Sequence, residues 1–357
     1  MDQAAPQRFV FLDGLRGWAA LAVVLYHIFC DGFPLNAWAA TELRKFVPFN
    51  GMIAVDTFFL VSGFALSVKF IATGERSGLL RMAVGRYLRL AIPILVACAA
   101  VHLMLVTGAI PPAAERPPPF DSVLAFEPDI GHLLRFSLYE VFVSFSFART
   151  YIGPLWTIPI EALGSVLVLG TLAVVGRRPW RWAVYLALLG PLLAVGSQQA
   201  LFVMGILLAE LHAQRWQERL PPWVFVASLL VGCGFSFVVA WANTAESLLG
   251  VTAFCVGCIG WAPLRRILSG RLSAALGTLS FPLYLAHGPM MFAVGIPLTQ
   301  AAGGDPVLKV LAGVAVVGLS VLAALPLISV NEFAIRLARR MGRVVTNPGL
   351  RAAMAGR

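Results

Sequence analysis

The chain has 357 residues, 59% of them hydrophobic and 12% charged, with a mean hydropathy of +0.84. A soluble protein carries about 25% charged residues, so this composition cannot cover a water-exposed surface; it excludes a large soluble domain, a disordered chain, a collagen and a disulfide-stapled module. The net charge of +10 reads as basic loops held on the cytoplasmic side of a bilayer, where anionic lipid attracts them, and not as a nucleic-acid surface.

A membrane-spanning helix needs about 20 apolar residues. In chain order, apolar runs predict ten spans at about 16–34, 51–70, 90–110, 152–175, 182–198, 199–212, 223–241, 248–264, 275–298 and 308–331. The fifth and sixth meet at a polar junction, Ser197-Gln198-Gln199. With the N-terminus inside, 21 of the 27 basic residues fall on the cytoplasmic side, which places both termini there. The expected fold is therefore all-α, a polytopic transmembrane bundle forming one domain over 1–357, with spans over about 16–331 and a basic cytoplasmic tail over 332–357. The first span reads as retained, since no small-residue cleavage site follows it. The proline-rich stretch from Pro111 to Tyr151 is expected to cap an outer opening. No internal repeat or appended soluble domain is apparent from the pattern, and oligomeric state leaves no trace in it. The cysteines, at 30, 98, 233, 255 and 258, lie in apolar stretches; Cys255 and Cys258 have zinc-like spacing without a second pair, which favours packing over metal.

Titratable groups at hydrocarbon depth are costly and mark pathways or reaction sites. His27, Asp56, His102, Glu161 and His287 fall within predicted spans. Depth counted along the helices brings His27, Asp56, Glu161 and His287 to one level, a proton-handling site. His102 lacks an evident partner, and His132 and His212 read as solvated. Arg16 lies eleven residues before His27, about 16 Å along the helix and within about 20° of the same face. That face suits a long ligand with an anionic head and a reactive tail. In the loop after the second span, Arg86 and Arg89 share a face as the third helix begins; they either grip phosphates or simply retain the loop inside, and charge alone leaves both open.

Several of these residues sit in segments that resemble the acyltransferase-3 family of membrane O-acyltransferases. Leu12-Asp13-Gly14-Leu15-Arg16-Gly17 through Tyr26-His27 is similar to the family's Arg-x10-His signature. Val55-Asp56-Thr57-Phe58-Phe59-Leu60-Val61-Ser62-Gly63-Phe64 resembles its second-span motif, and Arg86-Tyr87-Leu88-Arg89 its Arg-x-x-Arg element. Leu155-Trp156-Thr157-Ile158-Pro159-Ile160-Glu161 is similar to its Trp-Ser-Leu-x-x-Glu segment, and Ser280-Phe281-Pro282-Leu283-Tyr284-Leu285-Ala286-His287 to its Ser-Tyr-x-x-Tyr-Leu-x-His segment. Thr157, Ile158, Pro159 and Phe281 depart from the pattern, around the expected acceptor site.

The resemblance implies transfer of an acyl group, often acetyl, from cytoplasmic acyl-CoA to a hydroxyl of a carbohydrate or glycoconjugate at the bacterial inner membrane. It implies the stand-alone form, without the esterase-like domain some members carry. Acyl-CoA, acetyl-CoA above all, is expected as donor substrate, its phosphates held by Arg16, Arg86 and Arg89. His27 then acts as general base or transient acyl carrier, oriented by Glu161 or Asp56. Trp156, Thr157, Ser62, Tyr284 and His287 are candidates for oxyanion or acceptor contacts. A thiolate is a good leaving group, so no metal is expected. The rival reading is a proton-coupled transporter, which also uses intramembrane histidines and carboxylates, although no inverted repeat supports it.

Overall fold

The computed structural model describes residues 9–238 and 244–346; Arg8, the end of the seventh predicted span at 239–241 and the tail beyond 346 lie outside the described residues. The chain is helical throughout, with no strand among the described residues. Helix α1, Val10–Tyr26, runs on into a π-helical turn, His27–Gly32. Then follow α2, Ala37–Leu43; α3, Gly51–Thr73; α4, Arg76–Val106; and the short α5, Ile130–Arg135, and α6, Val141–Val143. The second half holds α7, Thr157–Val175; α8, Arg181–Ala194; α9, Gln199–Ala213; α10, Trp216–Arg219; and α11, Pro222–Val238. It closes with α12, Ala245–Gly260; α13, Ala262–Leu268; α14, Arg271–Met290; α15, Ile296–Ala302; and α16, Pro306–Thr346.

The protein is a multi-pass membrane protein, but the tally of full-length spans differs from ten. Six helical segments are long and apolar enough to cross a bilayer: Val10–Gly32, Gly51–Thr73, Arg76–Val106, Gly153–Val175, Arg271–Ala302 and Pro306–Thr346. Helices α12 and α13, bent by 86° at their junction, make a seventh if taken together. The fifth, sixth and seventh predicted spans correspond to α8, α9 and α11, of 14, 15 and 17 residues. At 1.5 Å per residue they reach about 21–26 Å, short of a hydrocarbon core of about 30 Å. The break between α8 and α9 has a local cause, because the Gln198 side chain at their junction turns inward to donate to Asp56 (2.9 Å).

Helix ends follow their capping chemistry. Asn50 accepts from the Ile53 amide (3.0 Å) to start α3, and Gly74, in the left-handed region at φ 72°, ends it. This sharp stop lets α4 begin at Arg76, so the expected arginine-bearing loop is instead helix. Leu79 is buried there and Met82 and Leu90 pack on the core, which gives that stretch a reason to be helical. Glu75, between the two helices, accepts from Ser77 and Arg81 near Lys69, which pulls its carboxyl down to about 2.

Helix α3 is the hub. It packs on α9, α1 and α7, while α1 lies along α14 and α16 packs on both α4 and α14. In its most apolar stretch 83% is buried, against 28% for α16, which leaves α16 facing lipid. Small residues permit the closest approach: a Cβ at Gly205 of α9 would stand 2.6 Å from the Phe64 amide nitrogen of α3. Between Ile110 and Phe126, Arg116 is buried and donates to the carbonyls of Phe120 (3.0 Å), Val123 and Leu124 (3.1 Å). Phe120 stacks on Phe33 just beyond the π turn, with centroids 5.1 Å apart, so this segment sits against the end of α1.

Gly205→Leu overpacks the α3–α9 seam and is expected to cost about 1–3 kcal/mol, read as a lower thermal midpoint of the detergent-purified protein. Gly318→Ala, where an added Cβ meets nothing within 4 Å, should leave the midpoint unchanged or raise it.

Candidate functional site

Polar groups inside the bundle collect at two levels of α1. At one level is His27, opening the π turn. Its Nδ1 donates to Asp31 Oδ2 at 3.2 Å, one turn on in the same element. Residues four apart in a helical turn lie on one side of it, which permits this pairing. Because the carboxylate accepts at Nδ1, the neutral ring keeps its lone pair on Nε2. The turn is held from outside by Arg44, at the end of α2. Its guanidinium donates to the Cys30 carbonyl (2.6 Å) and lies 5.5 Å from the centre of the Tyr26 ring. Asn50 in turn donates to the Arg44 carbonyl (3.0 Å).

The second imidazole of this level is His287 on α14, stacked on His27 with centroids 5.4 Å apart and planes 24° apart. It is fully buried. Its Nδ1 faces the Leu283 carbonyl (3.1 Å), which only accepts, so Nδ1 carries the hydrogen and Nε2 is left as an acceptor without a partner among the described residues. One turn back, the Tyr284 hydroxyl bonds the Thr157 hydroxyl (2.7 Å) and donates to the Pro154 carbonyl. Helices α1 and α14 run parallel in a constant register, with Gly17 against Gly277 and His27 against His287, and this sets the two rings face to face.

The other level is built around arginine. Arg16 of α1 donates to the Ser62 hydroxyl of α3 (2.8 Å), and Ser62 donates to Glu161 Oε1 of α7 (2.8 Å). Arg86 of α4 donates to the same carboxylate oxygen and, through Nε, to Ser165 (2.8 Å). Four helices thus meet on one ion pair whose side chains are each 15% exposed. Arg89, one turn further along α4, lies within electrostatic reach of Arg16 and Asp13. It has no hydrogen bond or ion pair among the described residues.

The four groups expected at one depth therefore separate. His27 and His287 meet; Glu161 and Asp56 do not join them. Glu161 is tied through Ser62 to Arg16, which puts it at the arginine level, about 16 Å along α1 from His27. Asp56 lies six residues from Ser62 on α3, about 600° around the helix, so it faces α9, where Gln198 donates to it. Sequence reasoning missed Asp31 and Arg44. The spacing of His27 and Asp31 was a usable signal, since helical residues four apart meet. Arg86, expected in a loop, is ten residues inside α4 with its charge matched by Glu161. The Ser62 hydrogen is committed to Glu161, and Trp156 sits half-buried at the start of α7. His102 has a partner after all, the Tyr151 hydroxyl (3.2 Å). His132 and His212 are not simply solvated: each packs edge-on against a phenylalanine, Phe126 at 4.6 Å and Phe9 at 5.4 Å. Among the described residues no three His, Cys, Asp or Glu side chains are placed to hold a metal ion, and the five cysteines are free.

A family model described as an acyltransferase domain matches residues 9–328, nearly the whole chain. A protein of Rhizobium radiobacter, "Protein 2 in picA locus", is 39% identical over 67 residues, which make up 19% of this chain and 29% of that protein. The match thus spans less than a third of the relative's length. No solved structure matches.

Glu161→Gln leaves the Arg86 guanidinium buried without its counter-charge and is expected to cost about 3–5 kcal/mol of stability. Adding Arg86→Met should return much of that loss. Thermal unfolding of the single and double variants checks both, and an unshifted midpoint in Glu161→Gln contradicts the pairing.

Proposed function

This chain belongs to the acyltransferase-3 family, and we propose that it is an O-acyltransferase of the bacterial inner membrane. In this reading it moves an acyl group, acetyl in the first instance, from cytoplasmic acyl-CoA to a hydroxyl of a carbohydrate or glycan-like acceptor. The six long helices, the bent pair and the three shorter apolar helices are its ten crossings, with both termini and the basic ends of α4 and α16 on the cytoplasmic side.

The observation that carries the reading is the His27–Asp31 pair, whose geometry leaves Nε2 free to take a proton. His27 removes the hydroxyl proton as the acceptor oxygen bonds to the thioester carbonyl carbon. The carbonyl oxygen takes the developing negative charge beside the imidazolium that forms, while the Thr157 and Tyr284 hydroxyls, bonded to each other and to the Pro154 carbonyl, hold α7 against α14 next to His287. The carbon–sulfur bond then breaks, and the imidazolium returns its proton to the leaving thiolate, so the ring ends as it began. Asp31 fixes the tautomer and steadies the imidazolium, the part first given to Glu161 or Asp56. His287 Nε2, an acceptor without a partner among the described residues, takes a hydrogen bond from a second hydroxyl of the incoming carbohydrate. At the other level Arg16 and Arg89 face the anionic end of the donor, while Arg86, neutralised by Glu161, holds the helices that present them.

Purified protein given acetyl-CoA labelled in the acetyl group, with a membrane-derived glycan fraction as acceptor, should release free CoA and label the glycan. General-base loss costs about 10²–10⁴-fold in rate. His27→Ala should therefore nearly abolish transfer while leaving the thermal midpoint close to wild type. Asp31→Asn should reduce kcat more than it changes KM. Wild-type turnover by His27→Ala rejects the assignment.

A further inference from the structure

Residues 332–346, the described part of the expected basic tail, continue α16 as helix. The helix has 41 residues, about 61 Å at 1.5 Å per residue and twice the thickness of a hydrocarbon core. Its final turns carry Arg336, Arg339, Arg340 and Arg343. They stay ordered against α4 through a seam of small residues, with Ala334, Ala338 and Gly342 all buried at four-residue steps. A Cβ at Gly85 of α4 would stand 3.2 Å from the Ala338 Cβ, and one at Gly342 would stand 3.0 Å from the Arg81 carbonyl oxygen. The two helices are therefore antiparallel, with Gly85 level with Ala338 and Arg81 level with Gly342. The same register puts Arg89 level with Ala334 and Arg339 about 7.5 Å from it along the axis, within the reach of two arginine side chains.

Direction around the helix separates Arg339 from its neighbours. Taking Ala338 as the line facing α4, Arg339 lies about 100° from it, whereas Arg336, Arg340 and Arg343 lie about 140–160° away on either side. Arg89 is within electrostatic reach of Arg339 as well as of Arg16 and Asp13. Among the described residues Arg339 makes no hydrogen bond or ion pair, while Arg336 is paired with Glu332 (3.4 Å). Arg16 and Arg89 have one carboxylate, Asp13, within electrostatic reach, so with Arg339 the group keeps an excess of positive charge, and a polyanion seated among the guanidinium groups relieves their repulsion. The matched family region ends at residue 328, so α16 adds this group from beyond it.

We propose that Arg339 is part of the donor site, where it binds the phosphates at the nucleotide end of acyl-CoA together with Arg16 and Arg89. This rests on the acyl-CoA-dependent reading above and gives the last turns of α16 a ligand.

The test uses the full-length protein and two donors: acetyl-CoA, and S-acetylpantetheine, which keeps the thioester but lacks the nucleotide and its phosphates. Losing one charge-assisted hydrogen bond to a phosphate should raise KM for acetyl-CoA about tenfold, with kcat unchanged because the contact is made equally in ground and transition states. Arg339→Gln should show that rise and leave KM for S-acetylpantetheine where it was. Arg340→Gln should change neither. Equilibrium binding of free CoA should weaken by the same factor in Arg339→Gln. If wild-type protein binds CoA and transfers acetyl groups while Arg339→Gln matches it on acetyl-CoA, or shifts both donors equally, the phosphate role is overturned and the acyltransferase reading stands. If wild-type protein neither binds CoA nor transfers acetyl groups, the donor reading fails and this role fails with it.

Discussion

The Arg86–Glu161 ion pair is the constraint around which the bundle is arranged. A guanidinium and a carboxylate withdrawn from water are tolerated only when each is paired and the remaining hydrogen-bonding capacity is filled. Ser165 takes the Arg86 Nε hydrogen, and Ser62 donates to the same carboxylate. Ser62 also receives Arg16, so α1, α3, α4 and α7 are fixed relative to one another at one level. Small residues such as Gly17, Gly63 and Gly205 then let the helices approach one another closely.

A consequence of that pairing is an uneven distribution of charge. Glu161 cancels Arg86, which leaves the half-buried Arg16 and the exposed Arg89 as the remaining cations of the cluster at the end of the bundle where α1 begins. About 16 Å away along α1 stands an imidazole with a carboxylate behind it and a second imidazole beside it. Cationic groups at one end and a proton acceptor at the other suit a long ligand carrying negative charge at its head and a carbonyl at its tail. The turn at the end of α1 contributes to this division: it holds His27 beside Asp31, and Arg44 donates to its Cys30 carbonyl.

Much of this was legible in the residues. Arg16 and His27 belong to one continuous helix, as their spacing implied, and the helix is followed by an asparagine-capped second span. Partnerships were harder. Depth along a helix makes Asp56 and Glu161 both available to His27, but register and rotation are set by partners on other helices, Gln198 for Asp56 and Ser62 with Arg86 for Glu161. Asp31 falls near the end of the first predicted span, and its distance in sequence from His27 is that of a helical contact. Arg86 and Arg89 were read as loop residues because the apolar run begins only after them; their helix is held by α16, which is distant in sequence.

The sequence by itself determined the solvent and the family: too few charges to face water, apolar runs long enough for lipid, and motifs in fixed order. These are local properties, written in composition and in spacing along one helix. Only the tertiary structure decided which carboxylate serves which cation, which helices are too short to cross unaided, and that the basic end of α16 lies along α4. Each of those depends on the rotation and register of helices far apart in the chain, which are set by close packing of small residues and by the need to leave no buried charge alone.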